Sequence, residues 1–290
     1  MSAAEPTWIA LIPAPDDAAW IAALHTTAAA ASRAVVLYGA DTQGGNIGVP
    51  LDLVLDTMRF RTEAAGVVLA PDVTDVAAAA SRRYGLGDRQ GLWVGSRLLA
   101  EACALPGARW IIDPAPGSAV SLSPALSVTV PAAPALTPPR SPFASAAATA
   151  LRLFQGGPPG VGSKSRWDPA LFDYSRSRPA TGPHIGAVDI TGRARILVSG
   201  PHFALPTGRW RAVVRFDIDP AAASLGFRLE WGDDVGFAHH RFTPGRAGRF
   251  ELELSHDWAA AAPAEIRLIL ETATIDGLVT FNVLDLDRTA

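Results

Sequence analysis

The sequence predicts two folds in one chain: a small α/β domain built on a parallel sheet, followed by an antiparallel β-sandwich of the jelly-roll kind. Three observations carry this. Up to Asp113, short apolar runs alternate with Ala-rich helical stretches. Between Pro114 and Pro142 the chain has eight prolines and one charge, Arg140. From His184 onward the apolar period changes to two, the period of a half-buried strand. The expected layout is residues 1–115 as the α/β domain, 116–183 as a Pro/Gly-rich connector, and 184–290 as the sandwich. A length of 290 residues, at about 150 residues per domain, agrees with two domains.

In the first region, Trp8 to Ile12 reads as a strand. Pro15 to Ser32 reads as a helix, with Pro15 suited to a first turn, Asp16 and Asp17 at its positive end, and Trp20 and Leu24 on one face. Ala34 to Tyr38 and Gly66 to Leu69 read as strands, and Asp72 to Tyr84 as a helix closed by Gly85. The short apolar run Gly91 to Val94 reads as a fourth strand, Ser96 to Ala104 as a helix, and Arg109 to Ile112 as the last strand. Strands alternating with helices argue for a parallel sheet with helices on its faces.

In the connector, Val120 to Val130 alternates but carries Pro124, which demotes it to an edge strand at best. Ser141 to Phe154 reads as a short helix, and Gln155 to Gly162 as a Gly/Pro turn cluster. Ser163 to Pro183 is expected to lie over a neighbouring surface.

The sandwich strands are plain. Trp210, Ala212, Val214, Phe216 and Ile218 share one face, and Arg209, Arg211, Arg215 and Asp217 the other. Similar alternation runs through Leu225–Trp231, Arg249–Leu254 and Glu265–Glu271. With Ala187–Ile190, Arg195–Phe203, Val235–Phe242 and Leu278–Asp287 this makes about eight strands. The expected common core is Trp210, Phe216, Phe227, Leu229, Trp231, Phe250, Leu252, Ile266, Leu268 and Phe281.

Composition narrows the function. With 25 basic and 28 acidic residues, the chain is no general nucleic-acid binder. Lys164 is its one lysine; this bias toward arginine, with recurrent alanine runs, lowers the weight of any single arginine as an anion ligand. One cysteine, Cys103, makes neither an internal disulfide nor a Cys-based zinc site. No apolar run is long enough to span a bilayer. The first 24 residues lack a basic n-region, so the expected location is cytoplasmic.

A resemblance enters at Gly186–Arg195 (GAVDITGRAR) and Gly200–Arg211 (GPHFALPTGRWR). These stretches resemble the carbohydrate-binding-like β-sandwich modules attached to bacterial glycosyltransferase and polysaccharide-related proteins. The likeness covers residues 184–290. It implies a non-catalytic or accessory role in surface-polysaccharide or glycoconjugate assembly, with a glycan or nucleotide sugar as ligand. The alternatives are a reduced glycosyltransferase-like enzyme built on the first domain, and an assembly protein whose sandwich contacts another protein.

Candidate site residues are few, and no cofactor, metal site or catalytic group is expected. The segment Gly39 to Gly48 follows a predicted strand and holds Asp41, Thr42, Gln43 and Asn46 among glycines. Ligands bind beyond the carboxyl ends of strands in open parallel sheets, so this loop is the expected ligand site of the first domain; a plain connector is the alternative. In the sandwich, Trp167, Phe172, Tyr174 and Trp258 read as loop aromatics, either sugar-stacking platforms or covers of the rim. His256 and Trp258 mark the expected rim site. His239 and His240 point to opposite faces of a strand and do not ligate one metal. Glu230 lies among arginines, as in a cross-strand salt ladder.

Overall fold

The computed structural model describes residues 8–31, 66–124, 126–132, 141–175 and 185–290. The chain divides into two compact units, Met1–Pro139 with Phe154–Pro158, and Arg140–Leu153 with Pro159–Ala290.

The first unit has a three-stranded parallel sheet in the order β1 (Trp8–Leu11), β2 (Gly66–Ala70), β3 (Arg109–Ile112). Helix α1 (Asp17–Ala30) starts where Asp16 accepts a hydrogen bond from the Ala19 amide at 3.0 Å, an N-cap that satisfies an otherwise orphaned donor. Trp20 and Leu24 of α1 pack with Val67 and Leu69. Helix α2 (Val76–Tyr84) ends at Gly85, whose φ of 64° is the left-handed cap favoured by glycine. It begins later than expected, because Asp72 is taken up in a turn. One oxygen of Asp72 accepts from the amides of Thr74 and Asp75. The predicted strand Ala34–Tyr38 lies outside the described residues.

The expected strand Gly91–Val94 is instead the middle of helix α3 (Asp88–Ala102). The apolar run was too short to show its period. Over the full helix, Leu92, Leu98, Leu99 and Ala102 fall on the buried side, which is helical spacing. Gly91 and Gly95 let α2 and α3 meet: a Cβ at Gly91 would stand 2.5 Å from the Ala77 carbonyl oxygen.

The stretch Val120–Val130 forms a hairpin of β4 (Ala119–Ser123) and β5 (Leu126–Thr129), with Pro124 in its turn. Leu122, Leu126, Val128 and Val130 join the core of Trp20 and Leu24. Pro124 sits where no ladder donor is needed, so it ends a strand and spoils none.

The second unit opens with α4 (Pro142–Leu151), capped by Ser141, whose hydroxyl accepts from the Ala144 amide at 3.1 Å. Two antiparallel sheets follow. Their strands are β6 (Lys164–Trp167), β7 (Asp173–Tyr174), β8 (Ala187–Asp189), β9 (Arg195–Leu205), β10 (Gly208–Ile218), β11 (Phe227–Gly232), β12 (Phe237–Phe242), β13 (Gly248–Trp258), β14 (Ala262–Leu270) and β15 (Leu278–Arg288). One sheet runs β13-β10-β15-β6, with β8 also on β15; the other runs β12-β11-β14-β9-β7. Part of the stretch expected only to cover a surface, Ser163–Pro183, thus supplies β6 and β7. A four-residue strand and a two-residue strand are too short to display alternation.

Eight of the ten expected core residues are fully buried, among them Trp210, Phe216, Phe227, Trp231 and Phe281. Phe250 and Leu252 are only partly buried, which corrects the expectation. Alternation tells which face of a strand turns inward. It does not tell that β13 is the last strand of its sheet, where the inward face is roofed on one side only.

Candidate functional site

The outward face of the β13-β10-β15-β6 sheet carries charge in stripes. Glu251, Glu253 and Asp257 of β13 face Arg209, Arg211 and Arg215 of β10; those face Asp285 and Asp287 of β15, opposite Arg166 and Lys164 of β6. Arg211 lies 3.4 Å from Glu253 and 2.5 Å from Asp287. Arg215 pairs with Glu251 at 2.6 Å and also with Asp285. In the last row the signs invert: Asp217 of β10 accepts from Arg249 at 3.0 Å and from Asn282 at 3.0 Å. The Arg249 hydrogen bond holds the Asp217 carboxyl below the usual carboxylate range. Positive and negative groups answer one another across this face, and among the described residues no aromatic ring stands on it.

The other sheet's outward face is also a ladder. Glu230 lies 3.1 Å from Arg228 and 3.8 Å from Arg267. Arg267 pairs with Glu265 at 2.6 Å and lies over the Phe237 ring, 4.2 Å from its centroid. Glu230 therefore sits among arginines, as the strand alternation implied.

The rim differs. The turn between β11 and β12 is held by Asp233, whose Oδ1 accepts from the amides of Val235 at 3.0 Å and Gly236 at 3.1 Å. This turn leaves Val235 90% exposed at its tip. From β13, Nε2 of His256 reaches 3.4 Å from the same Asp233 oxygen. The imidazole is half-buried and stands edge-on to Trp258, 4.7 Å between ring centres at 89°. A ring held by a buried carboxylate on one side and an indole on another is fixed before any ligand arrives.

The aromatic candidates are placed differently from the sequence expectation. Trp258 ends β13 and is 2% exposed; Trp167 and Phe172 are buried as well. Trp167 packs between Phe203, tilted at 5.3 Å, and Trp231, edge-on at 5.9 Å, and Trp231 meets Trp258 at 5.1 Å. These rings are core, so none offers an open face for a pyranose. Tyr174 is half-buried, with its hydroxyl donating to the Pro169 carbonyl at 2.7 Å. The structure brings His256 and Trp258 together and adds Asp233, read from the sequence as a turn residue, and Val235, read as the start of a strand that in fact begins at Phe237. The signal was Asp233 three residues before Gly236, the spacing of a side chain that caps its own turn.

His239 and His240 are both exposed on β12, and His240 lies parallel to Phe242 at 6.3 Å. Among the described residues no group of three His, Cys, Asp or Glu side chains is placed to hold a metal ion. No described helix is long and apolar enough to cross a membrane.

In the first unit, Asp41, Thr42, Gln43 and Asn46 lie outside the described residues. The carboxyl ends of β2 and β3 carry Asp72 and Asp113. Asp113 has a left-handed backbone, φ 44°, and accepts from the Val73 amide at 3.2 Å. Burial, with Asp72 nearby, pushes its carboxyl above the usual range.

No protein-family model matches the chain, and no curated protein matches it. Among solved structures, a carbohydrate-binding module described as TmCBM61 in complex with beta-1,4-galactotriose aligns with 47% of this chain and 93% of its own, at 15% identity and a TM-score of 0.29. The xylan-binding module CBM15 aligns with 44% of this chain and 99% of its own, at 13% identity and a TM-score of 0.31. A glycosylation-associated protein complex from Streptococcus agalactiae aligns over 48% of this chain and 28% of that one, at 11% identity and a TM-score of 0.30. TM-scores this low assign neither family nor ligand, and the sandwich assignment stands on the strand order and register of the chain itself.

Proposed function

We propose that the sandwich is a non-catalytic glycan-binding module and that its site is the rim corner of His256, Asp233 and Val235. The observation that carries this is the fixed imidazole: a half-buried ring braced by a buried carboxylate and the Trp258 indole, beside a turn whose tip, Val235, is exposed. An imidazole and a nearby carboxylate exchange hydrogen bonds with paired hydroxyls, and Val235 meets the apolar face of a sugar ring. The arginines and carboxylates on the two sheet faces hold one another in ion pairs, whereas at the rim the His256 and Asp233 pair stands by an exposed aliphatic side chain. The resemblance of residues 184–290 to carbohydrate-binding-like modules supports this reading, and with it a role in bacterial surface-polysaccharide or glycoconjugate assembly is proposed. A glycan array tests it. Hits are expected that His256→Ala and Val235→Ser both remove while the melting temperature holds. An array without hits, or hits indifferent to both variants, rejects the site.

A second reading is favoured by Asp113. A strained backbone and a carboxyl with raised pKa at the carboxyl end of a parallel strand are features of ligand sites in open α/β sheets. On this reading the first unit takes a nucleotide sugar, and Asp41, Thr42, Gln43 and Asn46 are proposed as further ligand groups. A thermal-shift panel of nucleotide sugars checks it. A stabilising ligand should lose its effect in Asp113→Asn and in the double variant Asp41→Ala, Asn46→Ala; a panel without shifts rejects it.

A further inference from the structure

We propose that β13 is a self-association edge, pairing antiparallel with β13 of a second copy about a two-fold axis through Phe250. The first observation is the edge itself. Among the described residues β13 pairs only with β10, along its full 11 residues, so its other side presents an unbroken row of backbone donors and acceptors. At the opposite edge of the same sheet the terminal positions are taken by two short strands, the four residues of β6 and the three of β8. Short strands blunt an edge; a long straight one is a template for another strand.

The second observation is the unfinished core beneath β13. Phe250 and Leu252 point inward yet remain partly exposed. Phe216 of β10, fully buried beside Phe250, lies 6.1 Å from its ring and 5.5 Å from Phe242 of β12. A strand added alongside β13 would cover the exposed parts of Phe250 and Leu252.

The third observation is charge, and it selects both the partner and the register. Directly opposed residues in an antiparallel pair share a face. The outward charges of β13 are Arg249, Glu251, Glu253 and Asp257. An axis on Arg249, Glu251, Glu253 or Asp257 opposes that residue to itself. An axis on Leu252 opposes Glu251 to Glu253; on Leu254, Glu251 to Asp257; on Ser255, Glu253 to Asp257. An axis on His256 brings no opposite charges together. Only the axis on Phe250 opposes Arg249 to Glu251 twice, with Phe250 against its own copy and no like pair. Arg249 is 72% exposed and Glu251 57% exposed, so both reach outward while holding their own partners Asp217 and Arg215. The partner is a second copy of this chain in a closed, isologous contact.

Sedimentation of the full chain tests the proposal. Wild type is expected at twice the mass of one chain. Arg249→Glu and Glu251→Arg each create two like-charge pairs, and each should weaken association by about a hundredfold or more. Mixing the two variants in equal amounts should restore a dimer, because each then presents the opposite charge to the other. Loss of fold does not produce that rescue. A wild-type chain that stays monomeric at high concentration overturns the proposal. So does a dimer that both single variants retain, or one that mixing fails to restore.

Discussion

The two lateral edges of the sandwich are finished in different ways. On one side β6, β7 and β8 close the core, and Trp167, Phe172, Phe203 and Phe281 are wholly covered. On the other, β12 and β13 leave Phe242, Phe250 and Leu252 partly in water, with His240 stacked at the margin. Both edges are rich in aromatics, so aromatic content does not mark function here. What differs is whether a further strand stands outside the ring.

The closed edge is most sensitive at Trp167. Removing a buried indole between Phe203 and Trp231 should cost about 3–5 kcal/mol, read by denaturant unfolding of Trp167→Ala. Phe250→Ala at the open edge should cost about 1–2 kcal/mol in the monomer, since part of its area never leaves water. Equal losses at the two positions would mean that the edges are alike.

The division between legible and illegible follows the same line. Alternation in Arg209–Ile218 announces a strand and its buried face, because period two needs only local sequence. Phe250 reads identically to Phe216 by that rule, yet one is an edge residue and the other central. The distinction lies in strand order, which is set by pairing partners far away in the chain. Trp167 shows the reverse: β6 is four residues long and sits among prolines and glycines, so a core tryptophan looked like a loop aromatic. Likewise Leu92, Trp93 and Val94 are contiguous apolar residues that mimic a short strand inside α3, and only the glycine spacing at Gly91 and Gly95 betrays a helix pressed on a helix. At the rim, His256 and Trp258 were legible as a pair, while Asp233 was legible only as a turn.

A smaller effect sharpens the comparison on the striped face. Asp217 has its pKa lowered by Arg249 and Asn282, so its contribution to stability is present above the ordinary carboxylate value of 3.8 and is lost as pH falls through the lower folded value. Asp113 has the opposite sign: its contribution is full below 3.8 and is lost as pH rises through its raised folded value. Asp217→Asn should therefore cost under about 1 kcal/mol at neutral pH, as expected for an exposed pair, and flatten the acid side of the stability profile. Asp113→Asn should remove the loss on the way to neutrality. Pulse-labelled unfolding from pH 3 to pH 7 separates the two.

On the proposed function, the second unit binds glycan at its rim and not on its faces. Backbone amide shifts of the isotope-labelled chain, titrated with a glycan taken from the array, test it most directly. Movement is expected at residues 233–236 and 255–258, with the striped rows around Arg211 and Arg215 unchanged. Shifts confined to those rows, or a saturating titration that leaves His256 and Val235 in place, would contradict it.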